Sequence, residues 1–299
     1  IVADQLQPDR QALAILSAAL EVQTARPTTT TAMATQATAT AASAPAPATT
    51  PTTRAEPALV PVATAVDEAA RACRRAFGRL MPGELTFLRR HLYQVTTADV
   101  VASAATWPNA NVGRRVCDIL EEVDRGDLHQ AAVALGRLAD PAVLKGLADA
   151  LAAGASAARR TAGETSCGRI LVGSPGDDVY DLDALADACA VVDPGGNDIY
   201  REGTLSDRRP VLVIIDLGGN DHYVGRRPGI QGGAILGASL LIDAAGDDRY
   251  EAEDVAQGSA LGGVGLLIDC AGNDSYRALR RAQGHAVGGV GLLIDRAGD

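Results

Sequence analysis

Three segments of the chain, IQGGAILGASLLID (230–243), AQGSALGGVGLLID (256–269) and AQGHAVGGVGLLID (282–295), align without a gap at a period of 26 residues. Each ends on an aspartate that opens an acidic, glycine-rich octet, as in DAAGDDRY (243–250) and DCAGNDSY (269–276). Two earlier octets, DPGGNDIY (193–200) and DLGGNDHY (216–223), belong to the same series, and DRAGD (295–299) begins another. The opening aspartates, Asp193, Asp216, Asp243, Asp269 and Asp295, are spaced by 23, 27, 26 and 26 residues. A weaker copy, LVGSPGDDVY (171–180), has Gly173 at the aspartate position. Self-similarity at a fixed period of about 20–50 residues marks a solenoid or an array. Each period holds short β-rich runs (VVD, VLVIID, SLLID, GLLID) broken by Gly, with no apolar stripe at helical spacing. The pattern predicts a parallel β-solenoid (a β-helix or β-roll-like array) with one coil per repeat over residues 164–299. A propeller blade, at about 40 residues or more, fits less well.

Stacking the coils at the strand spacing of about 4.8 Å turns the octets into columns. One column is Asp193, Asp216, Asp243, Asp269 and Asp295; a second is Asp198, Asp221, Asp248 and Asp274. Beside the second stand Asn197, Asn220, Asp247 and Asn273. Two like charges about 4.8 Å apart repel by about 3.5 kcal/mol at an effective dielectric of about 20, so the columns need compensation. Turn N–H groups can supply it, because Asp and Asn bond to backbone amides two residues on. Arginine cannot serve every coil, since Arg201, Arg249 and Arg277 take different places around the octet. A calcium ion can, because it takes six to eight oxygens from carboxylates and turn carbonyls. Turn capping and calcium both remain open at this point. Tyr200, Tyr223, Tyr250 and Tyr276 follow each corner by two residues and are expected to stack in the core. Gln231, Gln257 and Gln283 share a column and are expected to form an amide ladder along the axis. His222 and His285 occupy different motif positions, which argues against a zinc pair.

GGNDIY (195–200), GGNDHY (218–223) and AGNDSY (271–276) resemble half of the hemolysin-type (RTX) calcium-binding nonapeptide repeat. That resemblance implies Ca²⁺ held between the coils of a parallel β-roll. It places Asp198, Asp221, Asp248 and Asp274 on the ligand position, and Tyr200, Tyr223, Tyr250 and Tyr276 on the inward apolar position. Gly196, Gly219, Gly246 and Gly272 fall on the turn glycine. The chain departs from the family where Asp-x replaces its leading Gly-Gly, and in having one loop per coil of about 26 residues instead of tandem nonapeptides.

The N-terminal half has a different texture. Residues 8–25 suit one amphipathic helix, so residues 1–25 form a first segment; residues 26–63, rich in Thr, Ala and Pro, are expected to be a disordered linker. Residues 64–163 read as a bundle of about five short helices. Val66, Ala69, Ala70, Cys73, Phe77 and Leu80 recur at helical spacing, as do Leu85, Leu88 and Leu92, and again Val112, Val116, Ile119, Leu120 and Val123. Asp127 and Asp140 are candidate N-caps, the latter followed by Pro141. His91 and His129 have no partner cluster, and the five cysteines form no CxxC pair and read as small buried hydrophobes. The chain starts on Ile1 and stops inside an octet, so the array is expected to be truncated at its C-terminus and the sequence to be a fragment.

Charge separates the two halves. Residues 1–170 hold 17 Lys and Arg against 16 Asp and Glu, whereas residues 171–299 hold 10 Arg against 21 Asp and Glu. An acidic repeat half repels a phosphate backbone, which argues against nucleic acid and favours cations or basic partners. No apolar run reaches the roughly 18 residues of a membrane span. No Ser/His/Asp spacing, P-loop or dinucleotide fingerprint appears, so no catalytic residue is assigned. The expected function is a structural or adhesive repeat protein, secreted or in the cell envelope, with Ca²⁺-stabilised coils and carbohydrate or protein partners at the cell surface. The alternatives are a polysaccharide-active β-helix enzyme, with REGTLSDRRPV (201–211), Arg226, Arg227, Arg280 and Arg281 as its irregular contacts, and a metal-free structural solenoid.

Overall fold

Runs such as VLVIID and ASLLID are apolar at nearly every position before the aspartate, so neither face of such a strand is suited to water. The computed structural model, which describes residues 54–97, 110–154 and 158–298, shows what covers each face. Among the described residues sixteen strands, numbered in chain order, form three sheets. The first contains β1 (Arg54–Ala55), β2 (Arg160–Thr165), β3 (Gly168–Val172), β5 (Ala188–Asp193), β7 (Val211–Asp216), β10 (Ala238–Asp243), β13 (Val264–Asp269) and β16 (Val290–Asp295), in that spatial order. From β3 onward it is parallel; β1 and β2 are antiparallel and close its N-terminal end. The second sheet stacks β4 (Val179–Asp181), β6 (Ile199–Arg201), β8 (His222–Val224), β11 (Arg249–Glu251) and β14 (Ser275–Arg277). The third stacks β9 (Ala234–Ile235), β12 (Ala260–Leu261) and β15 (Ala286–Val287). The register follows the sequence period residue for residue: Asp216, Asp243, Asp269 and Asp295 pair in succession, as do Tyr180, Tyr200, Tyr223, Tyr250 and Tyr276. The expected parallel β-solenoid is therefore present, with about four turns over residues 160–295.

Among the described residues five helices share a core with it: α1 (Val60–Ala76), α2 (Pro82–Thr97), α3 (Ala110–Glu121), α4 (Arg125–Gly136) and α5 (Pro141–Ala153). The long strands alternate between two cores. Val213, Ile215, Leu240, Ile242, Leu266 and Ile268 point out of the coil and pack into one cluster with Val62, Val66, Leu88, Leu92, Ile119, Leu128 and Leu135 of the helices. Leu212, Ile214, Leu241 and Leu267 point into the coil and pack against the tyrosines. The helices thus roof the first sheet, and the expected junction at residues 163–164 falls inside β2, within the shared core. Small residues let the layers approach. Leu92 and Leu120 sit over Gly262, where a Cβ would come within 3.3 and 3.2 Å of their methyl groups.

Polar contacts fix the roof in place. Buried Asp67 of α1 accepts from the Ser166 amide (2.8 Å) and hydroxyl (2.6 Å) in the β2–β3 turn. Buried Asp254 on the solenoid accepts from Tyr93 Oη of α2 (3.0 Å), Arg280 Nε (2.9 Å) and Arg281 Nε (2.8 Å). Asp140 caps α5 through the Ala142 amide (2.8 Å), with Pro141 at the first helical position as expected. The cap of α4 is Asp124, not Asp127: Asp124 accepts from the Asp127 amide (3.2 Å), and Asp127 pairs with Arg75 (2.8 Å).

Ordered structure begins earlier than residue 64. Arg54 and Ala55 pair with β2, Pro57–Leu59 form a 3-10 turn, and Pro61 sits in the first turn of α1, a position that needs no amide donor. The expected helix within residues 1–25 and most of the expected linker lie outside the described residues. His91 and His129 bond to Gln94 and to the Arg125 carbonyl. Cys73, Cys167 and Cys189 are buried, and burial pushes the Cys73 and Cys189 thiols up to about 12, out of the reactive range. No helix among the described residues is long and apolar enough to cross a membrane.

Candidate metal centre in the acidic corner

The octet forms the corner between a long strand of the first sheet and a short strand of the second. Its opening aspartates are fully buried: Asp193, Asp216, Asp243 and Asp269 are each 0% exposed. One oxygen of each of the first three serves its own turn. Asp193 Oδ1 accepts from the Gly195 amide (2.8 Å), Asp216 Oδ1 from Gly218 (2.9 Å) and Asp243 Oδ1 from Ala245 (3.2 Å). The other oxygen reaches the preceding coil. Tyr200 Oη donates to Asp216 Oδ2 (2.5 Å), Tyr223 to Asp243 (2.6 Å) and Tyr250 to Asp269 (2.7 Å), and Tyr180 donates likewise to Asp193. The tyrosine rings stack with centroids 4.7–4.8 Å apart and planes within 10° of parallel, so the expected core ladder is present. Tyr180, Tyr200, Tyr223 and Tyr250 therefore each add a stacking contact and a hydrogen bond across a coil boundary, whereas Tyr276 adds the stacking contact alone.

The second column is built differently. Asp198 Oδ1 accepts from the Asp178 amide one coil earlier (2.6 Å), Asp221 from Asp198 (2.6 Å), Asp248 from Asp221 (2.6 Å) and Asp274 from Asp248 (2.8 Å). The neighbouring column runs the opposite way. The Asn197 amide donates to Asp177 Oδ1 (2.8 Å), Asn220 to Asn197 (2.9 Å), Asp247 to Asn220 (2.8 Å) and Asn273 to Asp247 (2.9 Å). Capping here joins successive coils, whereas the sequence pattern suggested only local turns. The two opposed ladders leave one set of atoms over: Oδ2 of Asp198, Asp221, Asp248 and Asp274 is buried with no hydrogen-bond partner.

Those oxygens belong to three carboxylate groups. Asp193, Asp198 and Asp216 form one, Asp221, Asp243 and Asp248 a second, and Asp248, Asp269 and Asp274 a third, each offering ligand atoms within 4.8 Å of one another. Eight of the thirteen expected metal-site residues are thus brought together. Asn197, Asn220, Asp247 and Asn273 are not: they are exposed, and the oxygens of Asn197, Asn220 and Asp247 hold the next coil's amide. Asp295 continues the first column in register with Asp269 but is exposed and joins no group.

Arginine does not neutralise the groups. Among the described residues, Arg226 pairs with Glu253, Arg227 with Asp183, and Arg280 and Arg281 with Asp254. With no cation beside them, the carboxyls are pushed toward their neutral forms. Burial raises Asp193 to about 7, against the hydrogen bonds from Tyr180 and Gly195. Burial, reinforced by the Asp221 charge, raises Asp216 to about 9. Burial and then Asp248 and Asp216 push Asp243 well above the ordinary carboxylate range. An all-oxygen, three-carboxylate donor set with a spare buried oxygen suits a hard divalent cation such as Ca²⁺ or Mg²⁺.

The weak first copy contributes more than its sequence suggested. Asp177, Asp178 and Tyr180 begin the three columns, although Gly173 stands at the opening position. The irregular stretch 201–211 serves the fold: Arg209, 2% exposed, donates to the Leu182 (2.6 Å), Leu185 (3.2 Å) and Thr204 (2.6 Å) carbonyls. The glutamine column forms no amide ladder. Gln231 Nε2 bridges the Tyr223 (3.0 Å) and Glu251 (2.8 Å) carbonyls of adjacent coils, and Gln257 Nε2 bridges Tyr250 and Arg277, both residues at left-handed φ of 53°. The fold and corner together define a helix-roofed parallel β-solenoid with buried carboxylate columns. No family model matches the chain, and no curated protein or solved structure matches it either.

Proposed function

We propose that this chain is a structural repeat protein whose solenoid coils are coupled by calcium ions in the acidic corner. The observation that carries this is the set of four equivalent Oδ2 atoms, on Asp198, Asp221, Asp248 and Asp274, buried beside other carboxylates without a donor. Asp193, Asp198 and Asp216 would hold one ion, and the two groups sharing Asp248 the others. A bound ion supplies the positive charge that the columns lack and couples one coil to the next, which is how repeat arrays gain stability. Millimolar calcium outside cells suits such sites, and the Thr/Ala/Pro-rich segment at 26–53 has the composition of a surface or secreted linker. In that setting the array would present its repeating outer faces to carbohydrate or protein at the cell surface.

Calorimetric titration of the full chain with calcium, and with magnesium as control, tests the reading. Calcium is expected to bind with a dissociation constant of about 1 mM or tighter. Asp248→Asn, which touches two groups, is expected to weaken binding at least about tenfold, while Asp295→Asn, outside every group, leaves it unchanged. Absence of binding by the unaltered chain defeats the calcium reading. A second reading is favoured by the raised Asp193, Asp216 and Asp221 carboxyls: a metal-free solenoid in which the two aspartates of one coil share a proton.

A further inference from the structure

β4 is the terminal strand of the second sheet, and Tyr180 is the first rung of the tyrosine stack. A terminal strand offers unpaired backbone groups to any other strand, and a terminal aromatic rung offers a bare ring face. Here neither is bare: Tyr180 is 0% exposed. Arg159 covers it. Its guanidinium carbon lies 4.1 Å from the Tyr180 ring centroid, close to the 4.8 Å at which the Tyr200 ring lies on the other side. Arg159 Nη2 donates to the Val179 carbonyl (2.9 Å), a backbone acceptor of β4. The same nitrogen donates to Asp178 Oδ1 (3.2 Å). In the coils above, that carboxylate oxygen holds the amide of the preceding coil's aspartate, a partner that Asp178 does not have. One side chain thus supplies a planar group for the ring, a donor for the strand and a donor for the corner carboxylate.

We propose that Arg159 acts as a one-residue surrogate coil, closing the N-terminal face of the second sheet against the solenoid edge of a second copy of this chain. The surface beneath it fits such a partner: a parallel strand edge with a tyrosine rung at the spacing repeated inside the array. The first sheet has its own closure in the antiparallel strands β1 and β2, so both long sheets end in a group that does not continue the repeat.

Sedimentation velocity of the full chain over a range of concentrations tests the proposal. Arg159→Ala is expected to raise the weight-average mass with concentration, at least about twofold beyond the unaltered chain, as an uncovered edge strand pairs. Adding Val179→Pro, which removes an amide on the strand that Arg159 covers, is expected to return the mass to that of the unaltered chain. Should Arg159→Ala not fold, Arg159→Lys carries the same expectation, since an ammonium group keeps the charge but cannot cover the ring and both acceptors at once. An Arg159 variant that folds and sediments as the unaltered chain does at every concentration overturns the proposal, as does association that survives Val179→Pro.

Discussion

Gly219→Ala is expected to destabilise the solenoid by at least about 4 kcal/mol, while Gly176→Ala, in the same column of the repeat, stays within about 0.5 kcal/mol of the unaltered chain. The corner glycines stack so closely that a Cβ on Gly219 would lie 1.5 Å from the Gly196 carbonyl oxygen. That obstacle is backbone, so no side-chain movement relieves it. The φ of Gly219 is also 150°, which L-residues rarely adopt. Gly176 opens the series, has no coil before it, and a Cβ there would meet nothing within 4 Å. Equilibrium urea denaturation of the two variants measures the difference. A loss of most of a typical domain's stability of about 5–15 kcal/mol in one case, and no change in the other, is the signature of stacked coils. Equal effects would mean that the corners do not stack as described.

The metal-free chain is expected to lose stability as pH rises from about 4 to about 9, opposite to the trend of a protein whose carboxylates are paired with cations. The buried carboxyls hold their protons more tightly in the folded chain. Asp193, Asp216 and Asp248 have folded values of about 7, 9 and 7, all above the unfolded value near 4, with burial the largest cause in each. The folded chain therefore binds more protons than the unfolded chain inside this window. The stabilisation is fully present below the unfolded value and is lost as pH passes through the folded values. A tenfold difference in proton affinity between the two states corresponds to about 1.4 kcal/mol, so a total on the order of 3 kcal/mol or more is expected between pH 5 and 8. Asp254 works the other way: burial opposes its ionisation, but Arg281 and Arg280 hold it below the ordinary range, so its contribution fades only as pH falls below about 4. Denaturation in chelator at the two pH values checks this. Calcium, by favouring the ionised carboxylates, is expected to flatten the slope.

The repeat itself was legible because each coil places the same residue types in the same environment. The gapless 26-residue alignment gives the observed register directly, and the tyrosines, two residues past each corner, stack as their position implied. The helical roof was harder to read. Its signal lay in VLVIID and ASLLID, whose lack of alternation means two covered faces, but an apolar run does not say what covers it. Gly262, which seats Leu92 and Leu120, is in the sequence one more of the glycines that break the β-rich runs. The direction of the capping ladders was also hidden. Asp198 and Asn197 are adjacent, yet one receives the amide of the coil before it and the other receives that of the coil after it. That split follows from the turn's geometry and leaves the Asn column outside the three carboxylate groups. Composition misplaced the start of order, because Arg54–Val62 resembles the Thr/Ala/Pro segment before it while Pro57 and Pro61 suit helix starts. Arg209 lies in the stretch 201–211, read as the irregular contacts of an enzyme, and Arg159 is not singled out at all, since nothing near them in sequence shows the carbonyls they meet.

The thermal unfolding of the full chain near neutral pH, in about 5 mM calcium and then in chelator with magnesium as control, tests most directly whether cations couple the coils. Calcium at about 5 mM adds about 1 kcal/mol per site for a dissociation constant of about 1 mM and about 2.7 kcal/mol per site for one about 100 times below the calcium concentration, so three occupied sites are expected to raise the melting temperature by roughly 6 °C or more. The rise is expected with calcium, to be smaller with magnesium, and to shrink in Asp248→Asn. Identical melting in calcium and in chelator would contradict the account, and would leave the corner as a metal-free stack of shared protons, tyrosine hydroxyls and backbone amides.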